Sequence, residues 1–359
     1  MVSNFVDRIT EFTTWLRSGR FPLPTIAALE ASQCSPEGIA GREIERDRAY
    51  FSVEVKELFL SEGRKWYVTY NPAVLMIVEF IYGDKKISVP TLVGPNMIGQ
   101  KSSQYPHGVV LENTLVAGPY PFRGGRVGIT AIFYRARHHD HARGLLNFVE
   151  GVSSALGVPA DMGTLARIGG TVLDGLETLL KLGDAEPIAA HRIEFEGGSL
   201  QGFRSSFCAL IASNDANPSL LRVQDGGHLK IVAENGQINR FDRADYVLYS
   251  VNRRDRRGET STLPFAALQD QAKSAALSGD EAGWTRAKAT LMTLYQQMVL
   301  CPDLTAEEAD AILESSKADL LKYKKQSEDF AALSSGEGTK TSRSLADSRL
   351  AASASLMNL

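Results

Sequence analysis

Cysteine is scarce: Cys34, Cys208 and Cys301 are the only three in 359 residues, and none lies in a CxxC pair. That spacing excludes a disulfide framework and the usual zinc motifs. Excess charge of one sign is also missing, since 39 Lys+Arg face 42 Asp+Glu and leave a net charge of -3. A balanced chain is not built to coat a polyanion, which argues against nucleic acid. No apolar run reaches the ~18–20 residues that span a bilayer. The first residues carry Asp7 and Glu11 and read as neither a signal nor a transit peptide, so the expectation is a cytoplasmic protein. Catalytic signatures are missing as well. There is no G-x-S-x-G, HExxH, DxDxDG or G-x-G-x-x-G after a strand. The stretch Gly94 to Ser102 approaches a phosphate loop, but Gln100 displaces Lys101, and Tyr105 and Pro106 stop the helix such a loop needs. No family is recognised from these residues, and no cofactor is implied.

What is present is ordinary globular material, 43% hydrophobic and 23% charged, long enough at roughly 150 residues per domain for two domains. Residues 1–48 read as a helical segment: Phe5, Ile9, Phe12 and Leu16 recur at helical spacing, Thr25 to Gln33 follows, and Ser35-Pro36 offers a third start. From Tyr50 the period becomes two. Phe51, Val53 and Val55 alternate with Ser52, Glu54 and Lys56. Further strand-like runs are Lys65–Tyr70, then Ala73–Tyr82 after an Asn71-Pro72 turn, Ile87–Val93, Val109–Ala117 and Arg126–Arg137. Two helices are expected within 141–182, capped by Asp140 and Asp161, before strands return at Ala190–Glu196, Gly202–Ala212, Leu229–Ala233 and Asp245–Asn252. The gaps have no room for helical crossovers, so the sheets should be antiparallel.

The expected fold is therefore α+β: an antiparallel β-sandwich-like core over 49–260, a helical pair inserted between two β-rich parts, and a helical C-terminal module over 261–330. In that module, Ser278-Gly279-Asp280-Glu281 and Thr305-Ala306-Glu307-Glu308 have capping-box spacing. Trp284, Leu291, Leu294, Tyr295 and Met298 share one face of a helix, and Ala309, Leu313, Ser316, Leu320 and Tyr323 share one of the next. Residues 331–359, rich in Ser and Ala, read as a flexible tail.

Some residue groups suggest chemistry. In Arg137-His138-His139-Asp140-His141, His139 and His141 could share a metal ion if His107, His191 or His228 supplied another ligand. A metal-assisted hydrolase is the reading that follows. Arg253, Arg254, Arg256 and Arg257 cluster at a strand end, where guanidinium forks suit an acidic protein partner. Leu345, Leu350 and Leu356 could line one side of a docking helix in the tail. The Gly-rich stretch 157–183 raises membrane action as a further alternative, although small residues equally serve tight packing in a soluble core. With no catalytic constellation in view, the leading expectation is a non-catalytic protein-binding or assembly component, with a protein partner or self-association rather than a membrane or nucleic acid.

Overall fold

The computed structural model describes residues 24–36, 40–61, 64–65, 68–83, 85–94, 114–137, 185–197, 202–224, 227–258, 260 and 263–334. The chain divides into two compact units, Met1–Arg257 and Gly258–Leu359, a β unit and a helical unit.

The first sheet of the β unit runs β1 (Thr25–Leu29), β9 (Ser206–Ile211), β13 (Tyr246–Arg254), β2 (Tyr50–Phe59), β6 (Thr114–Pro121). The second runs β3 (Arg64–Lys65), β4 (Val68–Tyr82), β7 (Gly125–Arg137), β8 (Ala185–Gly197), with β5 (Lys85–Val93) on the other side of β4. A small third sheet joins β10 (Leu221–Gln224), β11 (His228–Val232) and β12 (Ile238–Arg240). Every ladder between these strands is antiparallel. The two β-rich stretches of sequence interleave, because β13 pairs with β2 and β7 pairs with β8.

Alternate residues fill the space between the first two sheets. Phe51, Val53 and Val55 of β2, Val74, Met76 and Val78 of β4, and Val247, Tyr249 and Val251 of β13 belong to one buried cluster. The opposite face of the first sheet is covered too: Ala27, Leu29, Phe207, Ala209 and Leu248 pack with Leu221, Val223, Leu229 and Ile231 of the small sheet. A sheet covered on both faces needs apolar residues at nearly every position. That is why β9 and β13 read as unbroken hydrophobic runs. Each large side chain so buried contributes ~1.5–3 kcal/mol relative to exposure.

Three local expectations differ from the structure. Thr25 to Leu29 is a strand, with Ala27 and Leu29 buried and Ile26 and Ala28 exposed. The run is too short to distinguish period two from helical spacing, and the edge of β9 decides the matter. Ser35 and Pro36 themselves are not helical, and Cys34 just before them forms a bridge to Val223; residues 37–39 lie outside the described residues. Asn71-Pro72 is no turn but lies within the single strand β4, paired with Ala136 and Arg135. The β4–β5 ladder reaches only to Val74, so Pro72 lies beyond it, where β4 is not paired with β5. Residues 138–184, expected to hold the helical pair, lie outside the described residues; of the tail expected over 331–359, residues 331–334 are helical and the rest lies outside the described residues.

In the helical unit α1 (Ala266–Leu277), α2 (Glu281–Leu300) and α3 (Ala306–Ser334) follow one another. Leu294, Met298, Leu304 and Ala309 form one buried cluster and Ala272, Ala276, Ala287 and Leu320 another, the alanines allowing close helix approach. The expected cap at Ser278 falls two residues later. Asp280 caps α2 by accepting from the Gly283 N–H, while the Ser278 hydroxyl donates to the Ala275 carbonyl of α1. At α3 the Thr305 hydroxyl accepts from the Glu308 N–H at 3.2 Å, as its spacing predicts.

Candidate functional site

Among the described residues, the densest groups of titratable side chains lie inside the β unit. Glu57 is completely buried. The pairing of β2 with β13 shifts there, from Tyr249 opposite Val55 to Leu248 opposite Glu57, and Lys56 is the extra residue. Simple alternation from Val55 would aim Glu57 between the two large sheets. The bulge instead turns it towards the small sheet. There the Leu229 N–H donates to Oε2 at 2.9 Å, Arg240 Nη2 donates to Oε1 at 3.1 Å, and His228 Nδ1 lies 3.4 Å from Oε1. The Arg240 guanidinium also sits 5.2 Å from the centroid of the Phe59 ring. Burial pushes the Glu57 carboxyl up, but His228, the Leu229 amide and Tyr246 outweigh it and hold the pKa below its ordinary value. Glu54, near the same strand face, behaves alike: burial raises it, and Lys56 at 2.6 Å and Arg254 at 2.8 Å bring it down.

Two further buried carboxylates are held in the same way. Asp245 accepts from the Ser61 N–H at 2.7 Å, from the Ser61 hydroxyl at 2.6 Å, and from Arg135 Nη2 at 2.6 Å. Since Arg135 belongs to β7 and Asp245 immediately precedes β13, this contact ties one large sheet to the other. On β4, Glu79 pairs with Arg192 of β8 and with Lys86 at 3.4 Å. Arg192 also reaches Thr130 at 3.2 Å and Glu194 at 2.9 Å. Gly128 makes room for this guanidinium, because a Cβ there would lie 2.9 Å from Arg192 Nη2 and 3.2 Å from Glu79 Oε2. Between the large sheets, Tyr249 Oη and His191 Nε2 are 3.0 Å apart.

These arrangements favour fixed charge over proton transfer. A general acid or base needs a group poised near working pH and open to substrate. Glu54 and Glu57 are instead ionised and turned onto internal cations. Cys208 is fully buried, and burial pushes its thiol up to about 11, far from a nucleophilic thiolate.

The residues singled out from sequence separate. His139 and His141 lie outside the described residues, as do Leu345, Leu350 and Leu356. His191 and His228, offered as further metal ligands, have the partners just described. Among the described residues no group of three or more His, Cys, Asp or Glu could hold a metal ion, and no helix is long and apolar enough to cross a membrane. Of the arginines, Arg253 binds Asp255 at 2.9 Å and the Glu43 carbonyl at 2.7 Å, and Arg254 binds Glu54 and the Ser52 hydroxyl. Arg256 is exposed and Arg257 half-buried.

A different surface stands out in the helical unit. The buried side of α2 is Gly283, Ala287, Leu294 and Met298, and the exposed side should carry charge if it faced only water. From Ala289 to Leu300 it carries none. Met292 is 61% exposed, Val299 54% and Leu300 82%. The signal was available in the sequence as the absence of Asp, Glu, Lys and Arg over that stretch, but only the packed side identifies which residues remain outside. No protein-family model, no curated protein and no solved structure matches the chain.

Proposed function

We propose that the chain is a non-catalytic protein-binding or assembly component, with the β unit as a rigid frame and the helical unit as the part that meets another protein. The observation that carries this reading is the uncharged exposed side of α2, where Met292, Val299 and Leu300 stand in water. Exposed apolar side chains grouped on one helix mark association surfaces, whereas scattered ones need no explanation. The internally paired state of Glu54, Glu57, Glu79 and Asp245 supports a structural task for the buried charges.

The test is a combined M292K/V299K substitution in the full chain. Association, whether with a second copy or with a different protein, should be lost while the thermal melt at low protein concentration stays unchanged. Turnover of a nucleotide, peptide or ester by the purified chain alone, abolished by a point substitution, would overturn the reading.

A further inference from the structure

We infer that the protein using this face is a second copy of the same chain, with two α2 helices side by side, parallel and in register; this rests on the reading above. The exposed residues opposite the buried side of α2 are Thr285, Ala289, Met292, Gln296 and Val299. Their successive spacings of four, three, four and three residues are those of a coiled-coil seam, with Ala289 and Gln296 at a positions and Thr285, Met292 and Val299 at d positions. Any one face of a helix has that spacing; what sets this one apart is that it carries no charge from Ala289 to Val299.

The flanking residues choose the partner and the direction. In a parallel pair, each g residue meets the e residue five positions later on the other helix. Here that places Glu281 against Arg286 and Lys288 against Thr293 of the other copy, while Tyr295, at the next g position, is turned to Asp310 of α3 at 3.1 Å. The first contact is between opposite charges and the second brings no like charges together, so the face is complementary to itself. An antiparallel pair sets e against e and g against g, and the Glu281–Arg286 contact is lost. Arg286 and Glu281 are exposed. The seam is short and has small or polar residues at three of its five places. The pairing is consequently weak and concentration-dependent, helped because each helix is already formed within its folded unit.

Sedimentation equilibrium of the full chain over about three decades of concentration should show a monomer–dimer equilibrium. M292K/V299K should raise the dissociation constant about tenfold or more. E281R or R286E alone should raise it about two- to fivefold, and the doubly reversed chain, E281R/R286E, should recover most of that loss. Circular dichroism melts exclude misfolding, and Gln296→Lys is the second seam variant if the first is unstable. A full chain monomeric throughout the range overturns the pairing, as does a dimer insensitive to the seam variants. A double reversal that compounds the loss overturns the parallel register. If the monomeric chain binds a different protein and M292K/V299K abolishes that binding, the pairing fails while the assembly reading stands.

Discussion

In the β unit, Glu57, Glu79 and Asp245 are buried with cations against them, while in the helical unit α2 leaves Met292 and Val299 in water. The two units have solved opposite problems. Three sheets stacked on one another leave few places to put polar side chains outside, so some carboxylates fall inside, where only a hydrogen-bonded cation makes them tolerable. Three helices have surface to spare. Their charges collect on α3, from Glu307 to Asp329, and α2 is left bare beyond Lys288. Polarity inside the β unit therefore speaks of its cohesion, and the apolar outer side of α2 is what the proposed association rests on. The contrast can be broken at either end.

The largest effect should come from Glu57. Glu57→Ala takes the carboxylate from the Arg240 guanidinium and from the Leu229 N–H beneath the small sheet, and urea unfolding should show a loss of about 3–5 kcal/mol. The same contacts set an acid limit. The folded-state pKa of Glu57 lies below its ordinary value of 4.5, so its stabilisation is complete above that value and disappears as pH falls from there through the lowered one. A pH series of wild-type melts should decline below about pH 4.5, and Glu57→Ala should flatten that limb. An unchanged limb would mean that Glu57 does not hold the small sheet in place.

A smaller loss is expected at Gly128. Its neighbours across the ladder are Glu79 and Glu194, and an alanine there presses on the Arg192 guanidinium and the Glu79 carboxylate. Displacing them without removing either should cost about 1–3 kcal/mol, the range for overpacking. An Arg192→Ala background should remove most of that penalty, since the group in the way is then gone.

How far the sequence foretold this division depends on the kind of signal. Alternation in Phe51, Val53 and Val55 and long runs such as Val247 to Val251 correctly announced antiparallel layers, because burial on one or both faces acts on every residue of a strand. The covering small sheet was only partly visible: β11 stood out through Leu229 and Ile231, whereas β10 and β12 are too short to have a period. The Glu57 site was hidden by the bulge at Lys56, since one inserted residue reverses the facing of all that follow. Asp245 and Glu79 were visible as lone carboxylates in apolar strands, but their partners Arg135 and Arg192 lie 110 and 113 residues away in sequence, and no local pattern links them.

Thiol chemistry gives a kinetic form of the same contrast. Burial pushes Cys34 and Cys208 up to about 11, so in the folded protein both should resist iodoacetamide at pH 8. Mass spectrometry should find them modified only after denaturation. Rapid labelling of Cys208 in the native state would show that the two large sheets separate readily.

The smallest effect, and the sharpest test of the contrast, concerns the stability of M292K/V299K. Both side chains lie on the exposed side of α2, with Leu294 and Met298 turned inward. Both are more than half exposed, so at low protein concentration the change in unfolding free energy on replacing them with lysine should stay within about 0.5 kcal/mol. Concentration should then divide the two proteins. Anything that binds the folded state alone raises the melting temperature by mass action. The wild-type melt should therefore rise with protein concentration as copies pair, whereas that of the variant should stay flat. A variant that melts lower at every concentration, by the same amount, would show that Met292 and Val299 support the helical unit itself. Their exposure would then be no sign of association.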